Sequence, residues 1–193
     1  MLTRRFFYVS LGILALAGPP PAYGENVAFE AHATASNYCN YPGNPAASTP
    51  PWYAFDGIVC PQPFCPNGGW NACDVAPQWI QGLWNMPSII DSLRLNVNQD
   101  PGGSTTHEIR FRRPSGDWTD PWVVQGNWGT YDLVTLVPPF VVEATGIRIE
   151  TTVSPSWVSW FEIEVIGRPT ATGVPIPLET PLSWGKMKSV FTD

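Results

Sequence analysis

The chain has 193 residues and is acidic, with 16 carboxylates against 10 lysines and arginines for a formal charge of −6. From residue 25 to 168 it has no lysine, and six arginines face fourteen carboxylates, so it lacks the basic surface that nucleic acid or an anionic membrane requires. Abundant proline, glycine and tryptophan with sparse charge suit one loop-rich domain and a neutral ligand, or one bound through calcium.

Residues 1–24 read as a secretory signal peptide. Arg4 and Arg5 make a short positive region, residues 6–17 are apolar but too few to span a bilayer comfortably, and Ala22-Tyr23-Gly24 offers small residues for cleavage. Thr3-Arg4-Arg5-Phe6-Phe7 also resembles a twin-arginine export signal. The expected location is therefore secreted, periplasmic or on the cell surface. In such a compartment Cys39, Cys60, Cys65 and Cys73 read as two disulfides, with three pairings open. The C-x4-C-x7-C spacing of the last three, with no histidine beside it, does not suit zinc. An exposed catalytic thiolate would be consumed by oxidation.

Residues 25–168 carry short segments with a hydrophobic period of two, the mark of strands with one buried and one wet face. The clearest are 92–98, 107–112, 146–150 and 161–165, with 27–33, 78–83 and 131–137 as further candidates. Pro101-Gly102-Gly103, Pro114-Ser115-Gly116-Asp117 and Pro138-Pro139 mark turns between them. Many short strands and no amphipathic helix before Ser183 predict an all-β antiparallel sandwich or jelly roll. Two connections, 36–51 and 57–77, are much longer than the rest and hold all four cysteines. Residues 169–193 read as a Pro-rich linker and a short tail with the chain's only lysines, Lys186 and Lys188. That tail reads as either a disordered terminus or a docking or sorting peptide.

Several segments occur in a familiar order. Ala54-Phe55-Asp56-Gly57 precedes Pro77-Gln78-Trp79-Ile80-Gln81, then 90–97 and 99–109, and finally Ser156-Trp157-Val158-Ser159-Trp160-Phe161-Glu162-Ile163-Glu164-Val165. Over about residues 27–167 this resembles the discoidin, or coagulation factor 5/8 type C, domain, a galactose-binding-like jelly roll shared with bacterial carbohydrate-binding modules. The resemblance implies an eight-stranded β-sandwich that is not itself catalytic and binds ligands in loops at one end. It places both cysteine-rich connections there, with 154–157 between them. It also implies a structural calcium beside the D-G turn, held by Asp56 and Glu162. The threonine usual after that turn is absent and Cys60 opens an inserted loop instead, so the disulfides are an alternative tether.

A sugar site needs an aromatic face for the pyranose C–H groups and polar groups for its hydroxyls. Trp70 and Asn71, in a Gly-rich, cysteine-bounded loop, are the first candidates, with Asn67 close by. Tyr41, with Tyr38 and Asn40, Trp52 after the first long connection, Trp128 in Gly126-Asn127-Trp128-Gly129, and Trp157 complete the set. Trp128 also reads as a turn aromatic capping the sandwich. Trp79, Trp118, Trp122 and Trp160 read as structural, and His107, in phase with Ile109 and Phe111, as a buried structural histidine. Adjacent strand residues face opposite ways, so His107 and Glu108 cannot act on one atom. The expectation is an exported, non-enzymatic, glycan-binding module whose partner is a glycan or glycoprotein. An extracellular protein–protein adhesion or assembly module, with a surface protein as partner, is the alternative, and a jelly-roll hydrolase or lyase the second.

Overall fold

The computed structural model describes residues 24–60 and 68–170. The signal peptide, Cys65, Asn67 and the tail from residue 171 lie outside the described residues. Nine strands form a curled, wholly antiparallel sheet: β1 Glu25–Asn26, β2 His32–Ala35, β3 Trp70–Asn71, β4 Gln78–Val97, β5 Gly103–Arg112, β6 Trp122–Trp128, β7 Leu133–Leu136, β8 Glu143–Val153 and β9 Ser159–Pro169. The eight strands expected become nine: the two-residue strands β1 and β3, too short for periodicity to register, add two, and the 78–83 and 92–98 segments merge into one, β4.

β4 organises the sandwich. Its 20 residues contain both the 78–83 and the 92–98 segments. Its first half pairs with β2 and β8, and its second half with β7 and β9. The register slips between Leu83 and Ser88, where the strand bends from one layer into the other. One layer is thus β2, β4, β8, β5 and β6, and the other is β7, β4, β9 with β1 and β3 on its outer edge. Alternation buries Ile80, Leu93, Leu95, Ile109, Phe111, Ile147, Ile149, Ile163 and Val165 between the layers. On the outer face Arg110 pairs with Glu108 and Glu150, and Arg148 covers Trp79 at 4.2 Å. The expected strand at 27–33 is mostly a turn, and β2 begins only at His32.

The antiparallel order gives the sandwich two unlike ends. At one end lie the starts of β5 and β9, the ends of β3, β6 and β8 and both termini of β4, with the cysteine-rich connections among them. At the other lie the β4 bend, the β5–β6 turn and the segment between β7 and β8.

Candidate binding site

The Cys39–Cys73 disulfide joins the two long connections across 34 residues. Cys60 is also disulfide-bonded, and no described cysteine is free. Backbone bonds from Cys39 N–H to the Asn71 carbonyl (3.0 Å) and from Thr49 N–H to the Cys39 carbonyl (3.0 Å) knit the first connection to β3. A crosslink of this kind limits the freedom of the unfolded chain, so these loops hold their shape without a core of their own.

Trp70 overturns an expectation. It is fully buried, and its indole N–H donates to the Asn37 carbonyl at 2.9 Å. The reason is β3, whose Trp70 and Asn71 pair with Trp160 and Ser159 of β9. Strand alternation then sends Trp70 and Ala72 inward and Asn71 outward. Gly69 permits the docking: it has φ +65°, and a Cβ there would lie 2.2 Å from the Trp160 carbonyl oxygen. Trp70 therefore offers no face to a ligand. The Trp70-Asn71-Ala72 alternation was the available signal, masked by the glycines and cysteines around it.

Trp128 ends β6 rather than sitting in a turn. It lies over Gly126 and stacks on His107, ring centroids 5.0 Å apart, so one of its faces is covered. His107 is buried between Trp128 and Trp160, as the strand phase implied, and burial lowers its pKa from 6.5 to about 3. Its Nδ1 is 2.9 Å from Thr151 Oγ1, while Nε2 has no partner. Trp52 is exposed in the 3-10 turn Pro51–Phe55, edge-on to Tyr53, and does not line the cleft described next.

That cleft, of about 480 Å³, opens at the cysteine-rich end and is lined by Asn71, Asn98, Asp100, Trp157, Ser159 and flanking prolines. Two expected residues, Asn71 and Trp157, thus meet across it. Trp157 is 52% exposed, on the loop between β8 and β9. Asn71 Oδ1 accepts the Cys73 N–H at 2.7 Å, which leaves its amide N–H groups for a ligand. Asn98 donates to Ser159 Oγ at 2.8 Å, and that hydroxyl donates to the Trp70 carbonyl at 2.7 Å. Buried Trp70 therefore supports the cleft floor from beneath. Tyr41, also exposed, has its hydroxyl 4.0 Å from Cys73 Sγ, beyond the Asn71 side of the cleft.

Sequence reasoning did not single out Asn98, Asp100 or Gln99. Gln99 is buried and gathers the loops: its amide donates to the carbonyls of Trp128 (3.0 Å) and Gly103 (3.3 Å), and its oxygen accepts from Thr105 (2.9 Å) and Ser154 (3.4 Å). Its alternation phase reads as one more strand-end polar residue, so only the tertiary contacts expose this role.

Asp56 and Glu162 do come together. Glu162 is fully buried, Oε1 accepts the Gly57 N–H at 3.1 Å, and Oε2 receives no hydrogen bond from a donor group. Burial, then the nearby Asp56 charge, raises the Glu162 pKa from 4.5 to about 8. Asp56 Oδ1 accepts the Ile58 N–H at 2.9 Å. A buried carboxylate oxygen without a donor, beside a second carboxylate, fits one charge-neutralising guest, a proton or a cation. Among the described residues no third His, Cys, Asp or Glu joins them, so further oxygens for calcium would have to be carbonyls or water.

A larger cleft, about 550 Å³, lies at the opposite end between Arg113, Pro114, Asp120, Pro121, Phe140, Val141 and Glu143. Its aromatic, Phe140, is exposed and stands edge-on to Phe111 at 6.4 Å, but no asparagine or glutamine lines this cleft. It combines no open aromatic face with convergent amides, and the smaller cleft does.

No family model matches the sequence, and no curated protein matches it. Solved structures do. One is a family 32 carbohydrate-binding module of C. perfringens NanJ in complex with galactose, 18% identical over 75% of this chain and 98% of that one, TM-score 0.57. Another is a fucolectin from the serum of the striped bass Morone saxatilis, 18% identical over 78% and 51%, TM-score 0.57. A third is a chitosan-binding module from a Paenibacillus chitosanase/glucanase, 24% identical over 73% and 98%, TM-score 0.52. The chain therefore has the discoidin-like, galactose-binding-like jelly-roll fold.

Proposed function

We propose that this protein is an exported, non-catalytic glycan-binding module and that its site is the cleft at the cysteine-rich end. The observation that carries the reading is the exposed Trp157 facing Asn71 and Asn98 across that cleft, with Ser159 and Gln99 fixing the walls. An open indole covers the apolar face of a pyranose, and carboxamides match its hydroxyls. Loops already held by a disulfide and by Gln99 lose little entropy on binding. The carbohydrate-binding modules and fucolectin of the same fold support a glycan as the ligand class. The disulfide supports an oxidising compartment after export. A single shallow site is weak, so avidity on a repetitive surface is the expected mode of use.

Calcium belongs to this proposal as a structural ion. Asp56 and Glu162 would be its charged ligands, and it would tether the turn after the 3-10 segment to β9 without touching the sugar.

The test is a glycan-array screen of the full oxidised chain beside Trp157→Ala and Trp128→Ala. Binding that a free oligosaccharide competes and that Trp157→Ala abolishes, with the glycan unchanged over time, is the expected result. Binding lost only in Trp128→Ala would move the site. Binding to no glycan by a folded, disulfide-bonded protein would favour a protein partner, and steady consumption of a glycan would favour an enzyme.

A further inference from the structure

Charge is distributed unevenly between the two ends. Of the six arginines among the described residues, Arg94, Arg110 and Arg148 lie in strand middles. Arg94 is held by Glu164 at 3.0 Å, and Arg110 by Glu108 at 2.8 Å; Arg148 lies over Trp79. Arg112, Arg113 and Arg168 lie at the end away from the cleft, where Arg168 grips Asp91. Among the described residues the loop end has no arginine or lysine, and residues 38–54 and 61–67 carry no charged residue at all in the sequence. It has Asp74, Asp100 and Asp132 instead. Asp74 and Asp132 each accept a backbone N–H, from Val75 and Gly129. Asp100 lines the cleft, is exposed, and makes no side-chain hydrogen bond or ion pair with the described residues.

A sugar acid needs a guanidinium or ammonium partner in its site, and the described residues at this end supply none. A neutral sugar can use Asp100 as a hydroxyl acceptor but leaves its charge unmatched. A protonated amine on the ring matches both the hydrogen-bond geometry and the charge, and Asp74 and Asp132 add to the attraction at longer range. We infer that the cleft takes a glycan bearing free amino groups, a 2-amino-2-deoxy sugar in its ammonium form, with Asp100 as the counter-ion. This rests on the glycan-binding reading above and narrows it to a substrate class. Trp157 covers the C–H face of the ring, and Asp100 discriminates the substituent.

The experiment measures binding of the full oxidised chain to a glucosamine tetramer, the N-acetylated tetramer of the same linkage, a galacturonic acid tetramer and tetralysine. The expected result is that the amino tetramer binds about tenfold more tightly than the acetylated one, the ratio of one charge-assisted contact. Asp100→Asn should reduce that preference to about twofold, Trp157→Ala should abolish binding of both sugars, and added salt should weaken the amino sugar alone. Equal or tighter binding of the acetylated sugar, or binding of the galacturonate, overturns the amino preference and leaves the glycan reading standing. Tetralysine binding as tightly as the amino sugar overturns it as mere charge attraction. A preference that survives Asp100→Asn removes Asp100 from the role. If no sugar binds and Trp157→Ala changes nothing, the glycan reading fails and this inference with it.

Discussion

The two ends of the sandwich contain similar-sized clefts built by opposite means. The cleft end is polar and, among the described residues, without arginine or lysine, and a disulfide, Gln99 and the Asn98–Ser159–Trp70 chain hold it together. The far end is apolar at the surface, with Val137, Phe140, Val141 and Met86 exposed, and three arginines lie there. In the first, the protein invests buried polar bonds in fixing loops that would otherwise wander. In the second, short turns follow from the strand pairing, and side chains simply reach solvent. Volume therefore does not identify the site, whereas cross-linked loops around an open aromatic do.

Trp70→Ala should break this contrast most severely. Removing a fully buried indole from under the cleft should cost about 4 kcal/mol, read by chemical denaturation, and should disorder the cleft end before the far end in hydrogen exchange. Replacing Cys39 and Cys73 together by serine should cost about 3 kcal/mol and weaken glycan binding as well, since the same bridge sets the position of Asn71.

Glu162 tests how the cleft-side layer is neutralised. Its folded pKa lies above the unfolded value, so its contribution is complete below pH 4.5 and is lost as pH rises through about 8. Stability should therefore fall across that window by on the order of 4 kcal/mol, and Glu162→Gln should flatten the decline. If calcium takes the proton's place, adding it at the alkaline end should raise the melting temperature of the wild type and not of Glu162→Gln. Trp157→Ala should change stability by less than about 0.5 kcal/mol while lowering glycan affinity at least tenfold. Val141→Ser, at the far end and 86% exposed, should change neither measurably. A loss of glycan binding in Val141→Ser would reverse the assignment of the two ends.

Some of this was open to reading in one dimension. The period-two runs at 107–112, 146–150 and 161–165 became β5, β8 and β9 because alternation is a local consequence of strand geometry. Asp56 and Glu162 are legible in the D-G turn and the last strand, and they lie side by side; Asn71 and Trp157 are legible as polar and aromatic loop residues, and they line one cleft. The wrong reading of Trp70 has a local cause: glycine and cysteine on either side suggest an open loop, and only pairing with β9 turns two residues into an inward-facing strand. Trp128 reads as a turn or platform aromatic rather than a strand residue because the glycines flanking it hide β6.

By itself the sequence determined the all-β class, the strand phases, the export and disulfide chemistry to expect, and the absence of a basic surface. These follow from composition and from periods of two residues, which need no knowledge of what lies across the sheet. Only the tertiary structure decided that Cys39 pairs with Cys73, that β4 belongs to both layers, that Trp70 is core while Trp157 is open, and that Asp100 faces the cleft without a cation. Each of these depends on contacts between residues far apart in the chain, and local preference carries no information about which distant partner arrives.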